Sequence, residues 1–192
     1  MRHPMIEETG GPRSSQSGFS IIELMIVVVI IMVLAGMAAK WMSPAIRSYR
    51  LSGTAFEIAA TAQLARIKAT TGDARFKVKR NTGPPRTYRT EFKTRTGSWT
   101  LDPLSADYPL PEGVNFDTTG ITAAPPGQTT VTQATAMVFN TRGLLINDSS
   151  GAPVDGRCFY LQGNTDRPFA VCANLTGKIT VYRRFGSVWE VQ

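Results

Sequence analysis

The distribution of hydrophobic and polar positions divides the chain into three parts. The first is an apolar run from Phe19 to Ala39 in which Glu23 is the only charged residue. A helix rises about 1.5 Å per residue, so this run spans roughly 30 Å, the thickness of the hydrocarbon core of a bilayer. We therefore predict a transmembrane helix over residues 19–39.

A helical pattern continues beyond the apolar run. Tyr49, Phe56, Ala60, Leu64 and Ile67 recur at intervals of seven, four, four and three residues, which places them on one face of a helix. The pattern predicts an amphipathic helix over residues 40–72 that continues the anchor, and we expect this half to pack on the domain that follows. A Thr-Thr-Gly-Asp sequence at residues 70–73 marks the end of the helix.

The third part, residues 73–192, alternates short β-prone segments with Gly, Pro, Asn and Asp. The predicted strands are Arg75–Arg80, Thr87–Lys93, Ser98–Leu101, Val114–Phe116, Thr130–Phe139, Leu144–Ile146, Cys158–Leu161, Phe169–Ala173, Ile179–Arg184 and Val188–Val191. Thr118–Gln128 is predicted to be an exposed loop. A long helix followed by a small antiparallel β-sheet domain is an α+β fold.

Two simple interpretations of the N-terminal segment leave features unexplained. A cleaved secretory signal would have an apolar stretch of only about 7–15 residues, although Met37–Ala39 could serve as its cleavage site. A plain membrane anchor accounts for the length but not for Glu23, because an ionised carboxylate within the bilayer costs roughly 2.5–3.5 kcal/mol or more.

A third interpretation accounts for Glu23. The segment Gly18-Phe19-Ser20-Ile21-Ile22-Glu23-Leu24 resembles the type IV prepilin signature. The resemblance implies that a prepilin peptidase removes residues 1–18 by cleavage between Gly18 and Phe19 and methylates the new amine of Phe19. It also implies that Glu23 forms an ion pair with the terminal amine of a neighbouring subunit.

This resemblance also implies a cellular location and binding partners. It implies a single-pass protein of the bacterial inner membrane, with its N-terminus in the cytoplasm and residues 73–192 as a periplasmic domain. Its partners would be the peptidase and other pilins or pseudopilins in a filament. The basic residues flanking the apolar run lie on both sides of it, so the positive-inside rule does not fix the orientation.

A narrower resemblance lies further along the chain. Ala65–Ala69, Phe76–Val78, Val138–Gly143 and Gly177–Val181 resemble segments of the GspH/FimT family of minor pseudopilins and pilins. Members of that family have a long helix followed by two β-sheets and lie at or near the filament tip. The resemblance implies a structural subunit of a type II secretion pseudopilus or of a type IV pilus.

The two cysteines, Cys158 and Cys172, fall in two predicted strands joined by a Gly- and Asn-containing turn. A hairpin centred on Thr165 would place them directly opposite each other, close enough for a disulfide. A disulfide fits an oxidising compartment such as the periplasm. Two buried free thiols are the alternative. A zinc site is disfavoured because the only histidine, His3, lies in the predicted leader.

The chain has a formal charge of +7, and much of it is clustered between Arg75 and Arg95. The candidate surface for DNA or another anionic partner comprises Arg75, Lys77, Lys79, Arg80, Arg86, Arg89, Lys178, Arg183 and Arg184. Such a cluster is either a solvated sheet face, paired with acidic neighbours, or a phosphate-binding surface. Some members of the family bind DNA through Gly-Arg-x-Arg, whereas this chain has Gly177-Lys178-Ile179-Thr180.

No motif in the sequence indicates an enzyme. The part after the predicted leader contains no histidine, no Gly-x-Ser-x-Gly sequence and no phosphate-binding loop. We therefore predict a non-catalytic protein with no cofactor and no metal. The two hypotheses for its function are a minor pilin or pseudopilin and a DNA-binding minor pilin of a DNA-uptake system.

Overall fold

The computed structural model describes residues 18–81, 83–163 and 165–192. The predicted leader therefore lies outside the described residues, except for Gly18. The described chain forms one helix, α1 (Ile21–Thr71), followed by eleven strands. It divides into an N-terminal unit that ends at Met42 and a C-terminal unit from Ser43 to Gln192. The predicted α+β class is confirmed.

The N-terminal unit contains the first part of α1. The backbone N–H of Leu24 donates to the carbonyl oxygen of Ser20 over 3.2 Å, which closes the first helical turn. The segment Ile21–Ala38 has a mean hydropathy of 2.9, and none of it is buried. At about 27 Å it is long and apolar enough to cross a bilayer.

In the C-terminal unit, α1 packs on the β domain through a face of mostly small side chains. Ala55, Ala62, Ala65 and Ala69 are almost fully buried on this face, together with Ile58. They recur at intervals of three and four residues, as one helical face requires. Because alanine has a short side chain, this face lets the helix axis come close to the β domain.

The second half of α1 packs on the β domain, as expected, but not through the apolar stripe. Tyr49, Phe56, Leu64 and Ile67 are 49–79 % exposed, and Ala60 is exposed as well. At 100° per residue this stripe lies opposite the alanine face. The prediction weighted large apolar residues, whereas close packing against the β domain selected small ones.

The end of α1 is where the sequence placed it. The N–H of Gly72 donates to the carbonyl oxygen of Lys68 over 2.9 Å, and Asp73 follows with a left-handed φ of 45°. A Cβ at Gly72 would lie 2.9 Å from that same carbonyl oxygen, so a larger residue there would clash with the last turn.

Two antiparallel sheets follow. The strands are β1 (Arg75–Asn81), β2 (Thr87–Lys93), β3 (Thr100–Leu101), β4 (Tyr108–Pro109), β5 (Asn115–Phe116), β6 (Ala136–Phe139), β7 (Leu145–Ile146), β8 (Arg157–Gly163), β9 (Thr165–Ala173), β10 (Ile179–Phe185) and β11 (Val188–Val191). Sheet A has the order β3-β2-β1-β6-β7, with β4 also paired to β2, and sheet B has the order β11-β10-β9-β8-β5. The strand β4 was not predicted, and the predicted strand Thr130–Phe139 is β structure only from Ala136.

The central strands of sheet B, β8 and β9, are buried on both faces. Phe159 and Leu161 of β8 point into the main core with the alanine face of α1, while Cys158 and Tyr160 belong to a second cluster on the other face. Because neighbouring positions of a strand face opposite sides, a run of four buried residues requires cover on both sides.

The second cover is a segment predicted to be an exposed loop, Thr118–Gln128. In the structure it lies against the second cluster, with Ile121 buried there. The indole Nε1 of Trp189 donates to the carbonyl oxygen of Ala123 over 2.8 Å. Arg184 donates to the carbonyl oxygen of Gly120 over 2.9 Å. The segment is a loop, as predicted, but it is only partly exposed. Its Thr, Gly and Pro content gave no sign of these long-range contacts.

Candidate functional site

The predicted cleavage junction lies at the beginning of the described residues, and Phe19 on its C-terminal side is exposed. Phe19 is 85 % exposed. A Cβ placed on Gly18 would meet no atom of residues 20–192, where the structure describes them, within 4 Å. Both residues precede the first residue of α1, Ile21, so their backbone is not part of the helical hydrogen-bond ladder. A peptide bond outside regular structure is the kind that a peptidase can reach.

Glu23 lies in the first turn of α1 and is exposed. A carboxylate at this position is favoured by the positive end of the helix dipole. Within the described residues it takes part in no ion pair, and its nearest flanking side chains are apolar.

The cysteine pair forms a disulfide. Cys158 on β8 and Cys172 on β9 are direct partners in the antiparallel register, with their Cα atoms 4.1 Å apart. This is the pairing that the predicted hairpin required. The bridge lies in the second cluster of sheet B, where Cys158 is 1 % and Cys172 5 % exposed. It joins two strands that the hairpin already pairs, and it faces the segment Thr118–Gln128.

Lys77, expected on a charged surface, is buried on the outer face of sheet A. Its Nζ lies 3.2 Å from Glu91 Oε2 and 3.1 Å from Asp148 Oδ2. The ring of Trp99 covers it, with Nζ 4.0 Å from the ring centre. Lys77 is thus enclosed by two carboxylates and an aromatic ring.

Glu91 is the hub of this network. Arg89 lies 2.7 Å from Glu91 Oε1, and Lys79 lies 3.9 Å from the same oxygen. Burial alone would raise the pKa of Glu91, but hydrogen bonds from Arg89 and Lys77 and the charges of Lys77 and Lys79 outweigh it and hold the pKa below its ordinary value. Glu91 is therefore ionised at neutral pH and balances several of the clustered cations.

Four other basic residues make structural contacts. Arg80 donates to the carbonyl oxygen of Ala134 over 2.6 Å. Arg86 donates to the side-chain oxygen of Asn115. Arg184 is held by the segment Thr118–Gln128, as described above.

Arg183 is the fourth, and its guanidinium stacks 5.0 Å from the centre of the Phe185 ring. It also lies 5.5 Å from the centre of the Phe169 ring. Of the predicted surface, Arg75 and Lys178 remain, and both are exposed.

The nine predicted residues therefore do not act as one set of free cations. Arg75, Lys77, Lys79, Arg80, Arg86 and Arg89 lie on or beside sheet A, while Lys178, Arg183 and Arg184 lie on or beside sheet B. The roles of Trp99 and Asp148 were missed, and neither carries a signal in the sequence. The role of Glu91 could have been predicted, because Glu91 is the only acidic residue between Arg75 and Arg95.

The described residues contain no group of three or more His, Cys, Asp or Glu side chains arranged to hold a metal ion. Tyr88 and Tyr160 are buried, and burial raises the pKa of each phenol. Both hydroxyls are therefore protonated at neutral pH.

Comparison with known families matches residues 13–39 to the prokaryotic N-terminal methylation motif. The match spans the predicted cleavage junction, Glu23 and the apolar part of α1. Comparisons with curated proteins and with solved structures gave no match. The motif supports a type IV pilin-like or pseudopilin-like protein, and it implies processing by prepilin peptidase and assembly with other pilins.

Proposed function

We propose that this chain is a minor pilin or pseudopilin, a structural subunit of a type IV pilus or of a type II secretion pseudopilus. The observation that carries the proposal is the methylation motif over residues 13–39. The motif covers the apolar segment Ile21–Ala38 of α1, none of which is buried. A helix of this kind needs cover from lipid or from other helices, and a filament core supplies the second.

The proposed maturation begins at the predicted cleavage junction. Cleavage between Gly18 and Phe19 releases a new amine at Phe19, which the peptidase methylates. The amine of one subunit then pairs with Glu23 of its neighbour. In an apolar helix bundle each charge alone is costly, so the pair forms only in one axial register and thereby aligns the subunits.

The minor, tip-proximal role is supported by the fold beyond the helix. The GspH/FimT resemblance implies a long helix followed by two β-sheets, and the chain has one helix and two antiparallel sheets within the described residues. The segment Ala65–Ala69 contributes two residues of the helix face that packs on the β domain, and Val78 of β1 lies in the same core.

The DNA-binding alternative has less support. Lys77, Lys79 and Arg89 share Glu91, and Arg80, Arg86, Arg183 and Arg184 make contacts within the fold. These internal contacts reduce the positive charge that is available to phosphates. We therefore propose the structural role alone.

The test uses Glu23→Ala in cells that carry the filament machinery. We expect normal cleavage, seen as the same loss of mass on removal of residues 1–18 as in the wild type. We also expect loss of the subunit from sheared filaments, because the amine of the neighbouring subunit then has no carboxylate to pair with. Glu190→Ala removes an exposed carboxylate from β11 and serves as the control, with normal incorporation expected. Normal incorporation of Glu23→Ala would refute the ion pair, and absence of the wild-type chain from filaments would refute the function.

A further inference from the structure

A cavity of about 340 Å³ lies where the C-terminal end of α1 meets the end of sheet A. Its charged lining residues are Arg75, Lys93, Arg95 and Asp73, which gives the cavity a formal excess of two positive charges. Thr94 and Thr141 add hydroxyl groups to the same wall. The cavity is thus polar, cationic and concave.

The strand register brings two of these cations together. Arg75 on β1 is the direct partner of Lys93 on β2. Side chains directly opposite in an antiparallel pair lie about 5 Å apart at Cβ, and like charges there destabilise the pair. An anion bound between them would remove this repulsion.

The next pairs along the same strands are compensated within the chain. Lys77 is the register partner of Glu91, and Lys79 and Arg89 are both within 4 Å of Glu91. By contrast, no side-chain hydrogen bond or ion pair among the described residues involves Arg75, Lys93 or Arg95. The cations around Glu91 are therefore partly neutralised within the chain, whereas the cations around Arg75 are not.

Arg75 contacts a turn of the chain but has no anionic partner among the described residues. Its guanidinium lies against the backbone of Gly151, where a Cβ would be 3.3 Å from both terminal nitrogens. Gly151 has a φ of 69°, and its N–H donates to the carbonyl oxygen of Asn147 over 2.9 Å. This turn lies against one side of the Arg75 guanidinium, which has five N–H donors.

We propose that this cavity is a binding site for a compact polyvalent oxyanion, of which inorganic phosphate is the simplest example. Arg75 and Arg95 supply forked donors that suit an oxyanion, and Lys93 supplies a point charge between the strands. Its concave form suits a single discrete anion better than an extended polymer.

The experiment is calorimetric titration of the detergent-solubilised full chain with inorganic phosphate, with ionic strength held constant by chloride. We expect one site, and a loss of affinity of at least about tenfold in Arg75→Gln/Arg95→Gln, because two charge-assisted contacts are removed. Arg50→Gln/Lys178→Gln removes the same formal charge from exposed positions and is expected to bind like the wild type. If the first double variant fails to fold, Arg95→Gln alone, at an exposed position between β2 and β3, gives the same test.

Two results would overturn the site: no phosphate binding by the wild type, and equal losses of affinity in the two double variants. In the first case, binding of a short duplex DNA by the wild type would indicate a surface for a polymer. Cleavage at Gly18 involves none of these residues, so failure here leaves the proposed function unaffected.

Discussion

Lys77 and Glu91 form an ion pair of 3.2 Å whose side chains are only 6 % and 7 % exposed. They face each other across β1 and β2, with Asp148 and Trp99 closing the site around the ammonium group. Burial of a charge is costly unless its partners stay in place, so this pair makes the outer face of sheet A sensitive to the loss of either residue.

Glu91→Gln should lower the free energy of unfolding by about 2–3 kcal/mol, since Lys77 would keep only Asp148 as an acidic partner. Urea unfolding of the detergent-solubilised full chain measures this. Asp107→Asn is the control, because Asp107 is half exposed and lies 3.7 Å from Arg89, and it should cost less than about 1 kcal/mol. Equal effects of the two substitutions would contradict the buried pair.

The same carboxylate predicts a dependence on pH. The pKa of Glu91 is lower in the folded state than its ordinary value, so the stabilisation it provides is complete above that ordinary value. It is lost as the pH falls below that ordinary value and through the lowered folded pKa. The difference in unfolding free energy between the wild type and Glu91→Gln should therefore shrink between about pH 5 and pH 3. A difference that stays constant over this range would show that Glu91 does not act through its charge.

Two substitutions on α1 distinguish its packed face from its exposed face. Ala62→Leu places a larger side chain where the helix meets the β domain and should cost about 1–3 kcal/mol. Leu64→Ala, on the exposed face, should change the free energy of unfolding by less than about 0.5 kcal/mol. Urea unfolding checks both. A larger loss of unfolding free energy in Leu64→Ala than in Ala62→Leu would indicate that the apolar stripe, and not the alanine face, packs on the β domain.

Removing the disulfide should destabilise the β domain. The bridge closes a short loop between residues 14 apart, so Cys158→Ala/Cys172→Ala should lose about 2–4 kcal/mol. Reduction of the wild type should give the same unfolding midpoint as the double variant, since both open the same link. Unfolding midpoints that are equal with and without the bridge would mean that it adds nothing beyond the hairpin itself.

Those parts of the fold that depend on local patterns could be predicted from the sequence. The end of α1 follows from Gly72 and Asp73, and the strands Thr87–Lys93 and Val188–Val191 were predicted at their observed bounds. The pairing of Cys158 with Cys172 followed from the position of the turn between them, because an antiparallel register is fixed by its centre.

The parts that depend on distant contacts could not be predicted. The alanine face of α1 is selected by the close approach of the β domain, which the periodicity of large apolar residues does not record. The burial of Lys77 requires Trp99 and Asp148, which lie 22 and 71 residues further along the chain. The cover on sheet B likewise depends on hydrogen bonds from Trp189 and Arg184 to a segment more than 60 residues earlier.

The central claim is that the chain is matured at the Gly18–Phe19 junction and enters a filament. The most direct measurement is the intact mass and N-terminal sequence of the protein recovered from membranes that contain prepilin peptidase. The account predicts a chain that begins with N-methylated Phe19. A chain that retains Met1, or one that begins near Lys40 after removal of the apolar segment, would contradict it.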